Sequence, residues 1–222
     1  MCALEFSTWT AAEWSAFGQV FSGLGTLAGA IAVGVAAWWG RRTFDDWRQQ
    51  HLSARHIEEA ETVLTATYKV RRSLRNIRQP LLMAYELHMA KERLKENGVV
   101  PATESELNKL ATAQVYFTRI ENESENREAL LRCQPMARAI FGEEVERAMD
   151  TLLQQFRMLQ VSASSQLHFS NETEPAFRKN IEANLWEGAY DDDDKSMTKT
   201  IAAQITTIEK ICLPVVRLSG QK

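Results

Sequence analysis

Charge is missing from residues 14–40. Between Glu13 and Arg41 the chain places 27 uncharged residues in a row, WSAFGQVFSGLGTLAGAIAVGVAAWWG, and no Lys or Arg occurs before Arg41. Cysteine is scarce as well. Cys2, Cys133 and Cys212 form no CxxC pair, which argues against a disulfide framework. Cys133 and Cys212 lie in apolar helical patterns and are expected to be reduced core residues. Cys2 reads as an unpaired thiol. The four histidines, His51, His56, His88 and His168, come without HExxH, a His/Cys cluster or a Ser-x-x-Lys arrangement. Six of the ten glycines fall between positions 18 and 40, so no Gly-rich phosphate loop is present elsewhere. The expectation is a non-enzymatic protein with no catalytic residue, cofactor or metal site.

A strong basic excess is also lacking. All 26 Lys and Arg lie from Arg41 onward, against 27 of the 29 Asp and Glu, a balance of −1. Nucleic-acid binders carry a basic excess or face, so no nucleic-acid partner is expected.

The uncharged run defines the chain. At ~1.5 Å per residue it reaches ~40 Å as a helix, more than a hydrocarbon core of ~30 Å. Trp14 lies at its start, and Trp38 and Trp39 at its end, suiting indoles to the two headgroup layers. We expect one transmembrane helix over residues 16–39. A cleaved signal peptide would have a basic start and a shorter apolar core. Arg41, Arg42, Arg48 and Arg55 follow the run, so residues 1–15 are expected outside and 40–222 in the cytoplasm, with the span in a bacterial inner membrane. Arg41 and Arg42 are the expected headgroup contacts.

Beyond the run, apolar positions repeat at helical spacing and sustained strand-type alternation is lacking. Thr10-Ala-Ala-Glu13 reads as a capping box for the membrane helix, and Thr103-x-x-Glu106 as a second one opening a helix to about Arg132. No Gly or Pro interrupts residues 41–79, so a long helix is expected there, ended or kinked by Pro80. Its stripe is Ala60, Val63, Thr67, Val70, Leu74, Ile77 and Leu81, a heptad pattern able to pair with another copy or with later helices. Residues 81–96 form a further helix, and the helix begun at Thr103 carries Leu110, Ala113, Phe117 and Ile120. Pro135 is expected to interrupt. A helix over 143–167 carries Val145, Met149, Leu152, Phe156, Leu159 and Ala163. Residues 168–175 form a loop, and Phe177, Ile181 and Leu185 mark a short helix. The last helix, about 196–213, carries Ile201, Ile205, Ile208 and Cys212. The fold expected is all-α: a single transmembrane helix, a long helix and an antiparallel cytoplasmic bundle.

Features that bear on function lie mainly in the span. Gly18, Ser22, Thr26, Ala30 and Gly34 recur every four residues, with Gly25-x-x-x-Gly29 beside them. Small residues at this spacing let two helix backbones approach closely in lipid. Gln19, Ser22 and Thr26 form a mildly polar edge, a possible pore lining in an oligomer. The cations Lys69, Arg71, Arg72, Arg75 and Arg78 read as a solvated face paired to acids elsewhere, with Glu121, Glu123, Glu125 and Glu128 as a matching segment. Asp191–Asp194 read as carboxylates favoured at the start of the last helix. Together these features predict a membrane-anchored scaffold, sensor or adaptor with the lipid bilayer, its own copies and a cytoplasmic protein as partners. The alternative is a membrane-permeabilising effector of a toxin or phage-defence type.

Overall fold

Helix-forming sequence between sparse breakers gives an all-helical chain. The computed structural model describes residues 11–168, 174–189 and 196–217. Among them are seven helices and no strand. They are α1 (Ala11–Ile77), α2 (Ala84–Glu96), α3 (Glu104–Asn122), α4 (Ser124–Phe141), α5 (Glu143–Gln166), α6 (Pro175–Leu185) and α7 (Met197–Arg217). Cys2, Thr10 of the first capping box, Asp191–Asp194 and most of the expected 168–175 loop lie outside the described residues.

The chain divides into two units, Met1–Ala54 and Arg55–Lys222. The first is helical throughout its described part. Its Ser22–Phe44 portion is long and apolar enough to cross a membrane, and none of its residues is buried.

The second unit is a helical bundle around one main core. Val145, Met149, Leu152, Phe156, Leu159 and Ala163 are all buried, and α5 packs against α3, α4, α6 and α7. Ile201, Ile205, Ile208 and Cys212 of α7 enter the same core, as do Ile181 and Leu185 of α6. From α1 come Ala60, Val63, Thr67, Val70, Leu74 and Ile77, each with no exposed surface. The heptad stripe therefore packs on helices of its own chain. Leu81 does not join it: α1 stops at Ile77, before Pro80, and Leu81 is exposed. Phe177 is also exposed, although it shares α6 with the buried Ile181 and Leu185. A smaller cluster of Ala90, Leu94, Ala111 and Val115 joins α2 to α3.

Helix boundaries depart from the sequence reading at four points, the first being α2, which begins at Ala84 rather than at residue 81. The helix opened at Thr103 ends at Asn122 rather than near Arg132. The break falls at Glu123, whose carboxylate is held by the Ser73 hydroxyl and by the amides of Asn76 (3.1 Å) and Asn126 (3.0 Å). Pro135 does not interrupt; it lies inside α4. Its missing N–H orphans the carbonyl of Leu131, an exposed residue where water can take the donor's place. Pro214 behaves likewise inside α7, which extends to Arg217, and the residue four before it, Lys210, is exposed. The separation expected of Pro135 is made by Gly142, at φ 90° and ψ −178°, a conformation that side chains with a Cβ rarely adopt.

Candidate functional site

Two sets of residues bear on function, one in each unit, and each is described by itself.

In the first unit the small residues sit on open helix surface. A Cβ added at Gly18, Gly25, Gly29 or Gly34 would meet nothing within 4 Å. At ~100° per residue, Gly18, Ser22, Gly25 and Gly29 fall within ~60° of one another, on one face. Thr26, Ala30 and Gly34 follow the same i+4 row as it winds progressively away from that face. A row of this kind is the ridge that packs in right-handed crossings of membrane helices. The Thr26 hydroxyl donates to the Ser22 carbonyl at 2.9 Å. Its one proton is thereby spent inside the helix, the back-bonding common for Thr. The side chains of Gln19 and Trp14 lie outside the described ones.

At the end of this segment Trp38 and Trp39 are exposed by 60% and 66%, and the Arg42 guanidinium lies 5.8 Å from the Trp38 ring centre. Arg41 and Arg42 are both exposed. Next come Phe44 and Trp47, with ring centres 5.9 Å apart, and His51, stacked on Trp47 at 5.2 Å. The apolar pattern of the uncharged run ends before these residues, so they were not singled out from sequence.

In the second unit three polar clasps hold the helices. The Lys69–Arg78 stripe is not one solvated face. Lys69, Arg71, Arg72 and Arg75 are exposed, but Arg78 is 2% exposed. Its Nε donates to the Asn184 carbonyl at 2.8 Å, and its Nη2 to the carbonyls of Ala183 (3.1 Å) and Trp186 (3.4 Å). These oxygens close the last turn of α6, where carbonyls have no intrahelical donor and a cation is favoured. Nη1 reaches the Thr198 hydroxyl at 3.1 Å, next to the start of α7. Arg75 pairs with Glu187 rather than with the segment around Glu121–Glu128. In that segment, Glu121 pairs with Arg93 and Glu128 with Arg132.

Arg119 makes the second clasp. Its Nε and Nη2 hold both Glu86 carboxylate oxygens, at 2.8 and 2.7 Å. Nη1 donates to the Gln79 carbonyl (2.8 Å) and Nη2 to that of Leu81 (3.0 Å), fixing the turn between α1 and α2. The hydrogen bond from Arg119 holds the Glu86 carboxyl below its ordinary pKa, against the opposing effect of burial. Glu86 also accepts from the Met83 backbone N–H at 2.9 Å, capping α2. The third clasp is Glu123. Burial pushes its pKa up, but donation from Ser73, Asn76 and Asn126 and the nearby charge of Arg72 outweigh this and leave it lowered.

Between α2 and α3 runs a groove of about 390 Å³ bordered by Tyr85, Met89, Val115 and Arg93. Its arginines are committed, Arg119 to Glu86 and Arg93 to Glu121. Buried Tyr116 accepts a hydrogen bond from the Trp186 indole at 3.0 Å. Among the described residues no three His, Cys, Asp or Glu side chains are grouped to hold a metal ion.

The fold and these surfaces define a class: an all-helical bundle joined in sequence to one apolar helix of membrane-spanning length. Compared with protein-family models, curated proteins and solved structures, the chain matches none.

Proposed function

We propose that this chain is a non-enzymatic, single-pass protein of the bacterial inner membrane that works by self-association of its membrane helix and by protein contact through its bundle. Residues 1–15 face outward, residues 16–39 span, and residues 40–222 lie in the cytoplasm, a reading supported by the arginines that follow the span. The observation that carries this reading is the open surface of the apolar helix. Leu24, Leu27, Ile31, Val33, Val35, Trp38 and Trp39 are 50–70% exposed. Covering them with hydrocarbon is worth on the order of 10 kcal/mol. Self-association rests on the Gly18–Ser22–Gly25–Gly29 face, where two backbones can approach closely.

The test is to fractionate cells expressing the full chain and wash the membranes with alkaline carbonate. Retention in the pellet supports an integral anchor, and release overturns it. A reporter fused at residue 222 that is active in the cytoplasm supports the orientation.

A further inference from the structure

We propose that the segment just past the span, carrying Arg41, Phe44, Trp47, Arg48 and His51 on one helix face, lies against anionic lipid headgroups and sets the direction in which the span tilts. The inference rests on the membrane reading above and adds a lipid class and an orientation to it.

The uncharged run is ~40 Å long and the hydrocarbon core ~30 Å. A helix longer than the core accommodates the excess by tilting, here by up to ~40°. Anchors at the interface decide which face then turns toward the bilayer. At ~100° per residue, Arg41, Phe44, Trp47, Arg48, His51 and Leu52 fall within an arc of ~140°. The face thus joins aromatic rings to the cations Arg41 and Arg48, with Arg42 and Thr43 outside the arc.

These side chains have no cover from their own unit. Phe44, Trp47 and Leu52 are 59%, 56% and 46% exposed, and Arg41 and Arg48 are exposed too. Trp47 stacks on His51 at 5.2 Å with 14° between planes, so the two rings hold each other on this face. In a span tilted by ~40°, Trp47 lies ~8 Å past Gly40 along the bilayer normal, near the headgroup layer. Arg48 is one residue further, within a Debye length of ~8 Å from that layer.

Charge selects the occupant. A second copy packed on this face would bring Arg41 and Arg48 against their own counterparts, a like-charge contact. A zwitterionic surface offers them no net attraction. An anionic leaflet attracts each arginine, strengthening attachment of the segment to the surface about fivefold per residue, while the indole of Trp47 sits at the polar–apolar boundary that Trp favours.

The experiment reconstitutes the full chain in bilayers of phosphatidylcholine mixed with phosphatidylglycerol. Brominated acyl chains, which quench indole fluorescence, are placed on one lipid or the other. The part of the quenching lost in Trp47→Phe belongs to Trp47. The expected result is that brominated phosphatidylglycerol quenches Trp47 several-fold more than brominated phosphatidylcholine. Arg48→Glu should abolish the preference, and Arg71→Glu, an exposed change in the other unit, should leave it intact. Equal quenching by the two lipids overturns the inference while the anchor stands. Failure of the chain to enter either bilayer overturns both this inference and the membrane reading.

Discussion

The Nε of Arg78 donates to the Asn184 carbonyl at 2.8 Å, joining the end of α1 to the end of α6 across 106 residues of sequence. The same guanidinium serves the carbonyls of Ala183 and Trp186, and the Arg78 carbonyl accepts from the Glu187 N–H at 2.9 Å. One side chain thereby serves the end of α6 alongside the Trp186 N–H, which donates to the Glu182 carbonyl at 2.8 Å from an extended C-cap at φ −114° and ψ 118°.

Removing that guanidinium should therefore be costly. Arg78→Met keeps much of the stem and takes the guanidinium donor from the partly buried carbonyls of Ala183 and Asn184, each worth about 1–3 kcal/mol when left unpaired. The expected loss is about 3 kcal/mol, or a fall in Tm of about 6–12 °C for a chain of this size. Arg75→Met, three residues earlier, removes only an exposed pair to Glu187 and should cost under about 1 kcal/mol. Thermal melts of the two full-length variants in mild detergent, followed by helical circular dichroism, separate the roles. Equal melting temperatures would show that Arg78 does not close α6.

Glu86 links stability to acid. Its pKa is lowered in the folded chain, chiefly by the hydrogen bond from Arg119. A carboxylate with a lowered folded pKa contributes stability above its unfolded value, here 4.5, and loses it as pH falls through the folded value. Glu86→Gln should accordingly melt below the parent at pH 7. The gap should hold down to about pH 5 and close as the pH drops further. Melting temperatures of the pair across that range give the check, and a gap that widens in acid would reverse the assignment.

The two described cysteines should be chemically silent while the fold holds. Burial pushes the thiols of Cys133 and Cys212 up to about 11, from an ordinary value of 9.0. Only the thiolate reacts with alkylating agents. At pH 8 that form is about 1 in 1,000 of each thiol, so iodoacetamide should modify Cys133 and Cys212 slowly in the native chain and fully in denaturant. Peptide mass mapping reads each site separately. Fast labelling of either one without denaturant would place it outside the core.

How far the sequence could be read depended on the range of each interaction. The stripes of α5 and α7 were legible residue by residue because burial of an amphipathic helix repeats along its own sequence. The α1 stripe was legible as far as Ile77, and its packing on later helices of the same chain was one of two options the heptad left open. The break at Glu123 could not be read, because it depends on Ser73 and Asn76 from another helix. Arg78 was misread for the same reason: five cations in ten residues look alike until the carbonyls of α6 select one of them. Pro135 misled because proline excludes only an N–H donor and a crowded turn, and an exposed helix side tolerates both. In the apolar segment, periodicity exposed the small residues, while the rings of Phe44, Trp47 and His51 that follow it escaped notice among charged neighbours.

Self-association makes the sharpest demand on the proposed function. Gly25 and Gly29 have open space where a Cβ would stand. The first atom of an Ile side chain therefore meets no neighbour within the chain, and a loss at these positions beyond that of a control points to contact with another molecule. Bulk inserted in a close-packed helix pair costs about 1–3 kcal/mol, which is roughly tenfold or more in association constant. Gly23 is the internal control: it lies two residues from Gly25, ~160° around the helix, and also has open space. In a membrane two-hybrid assay, Gly25→Ile with Gly29→Ile should lower the signal about tenfold, while Gly23→Ile should leave it near the parent level. If all three substitutions act alike, the helix is responding to bulk in lipid and not to a partner. If none acts, the Gly18–Gly29 face is not where copies of this chain meet.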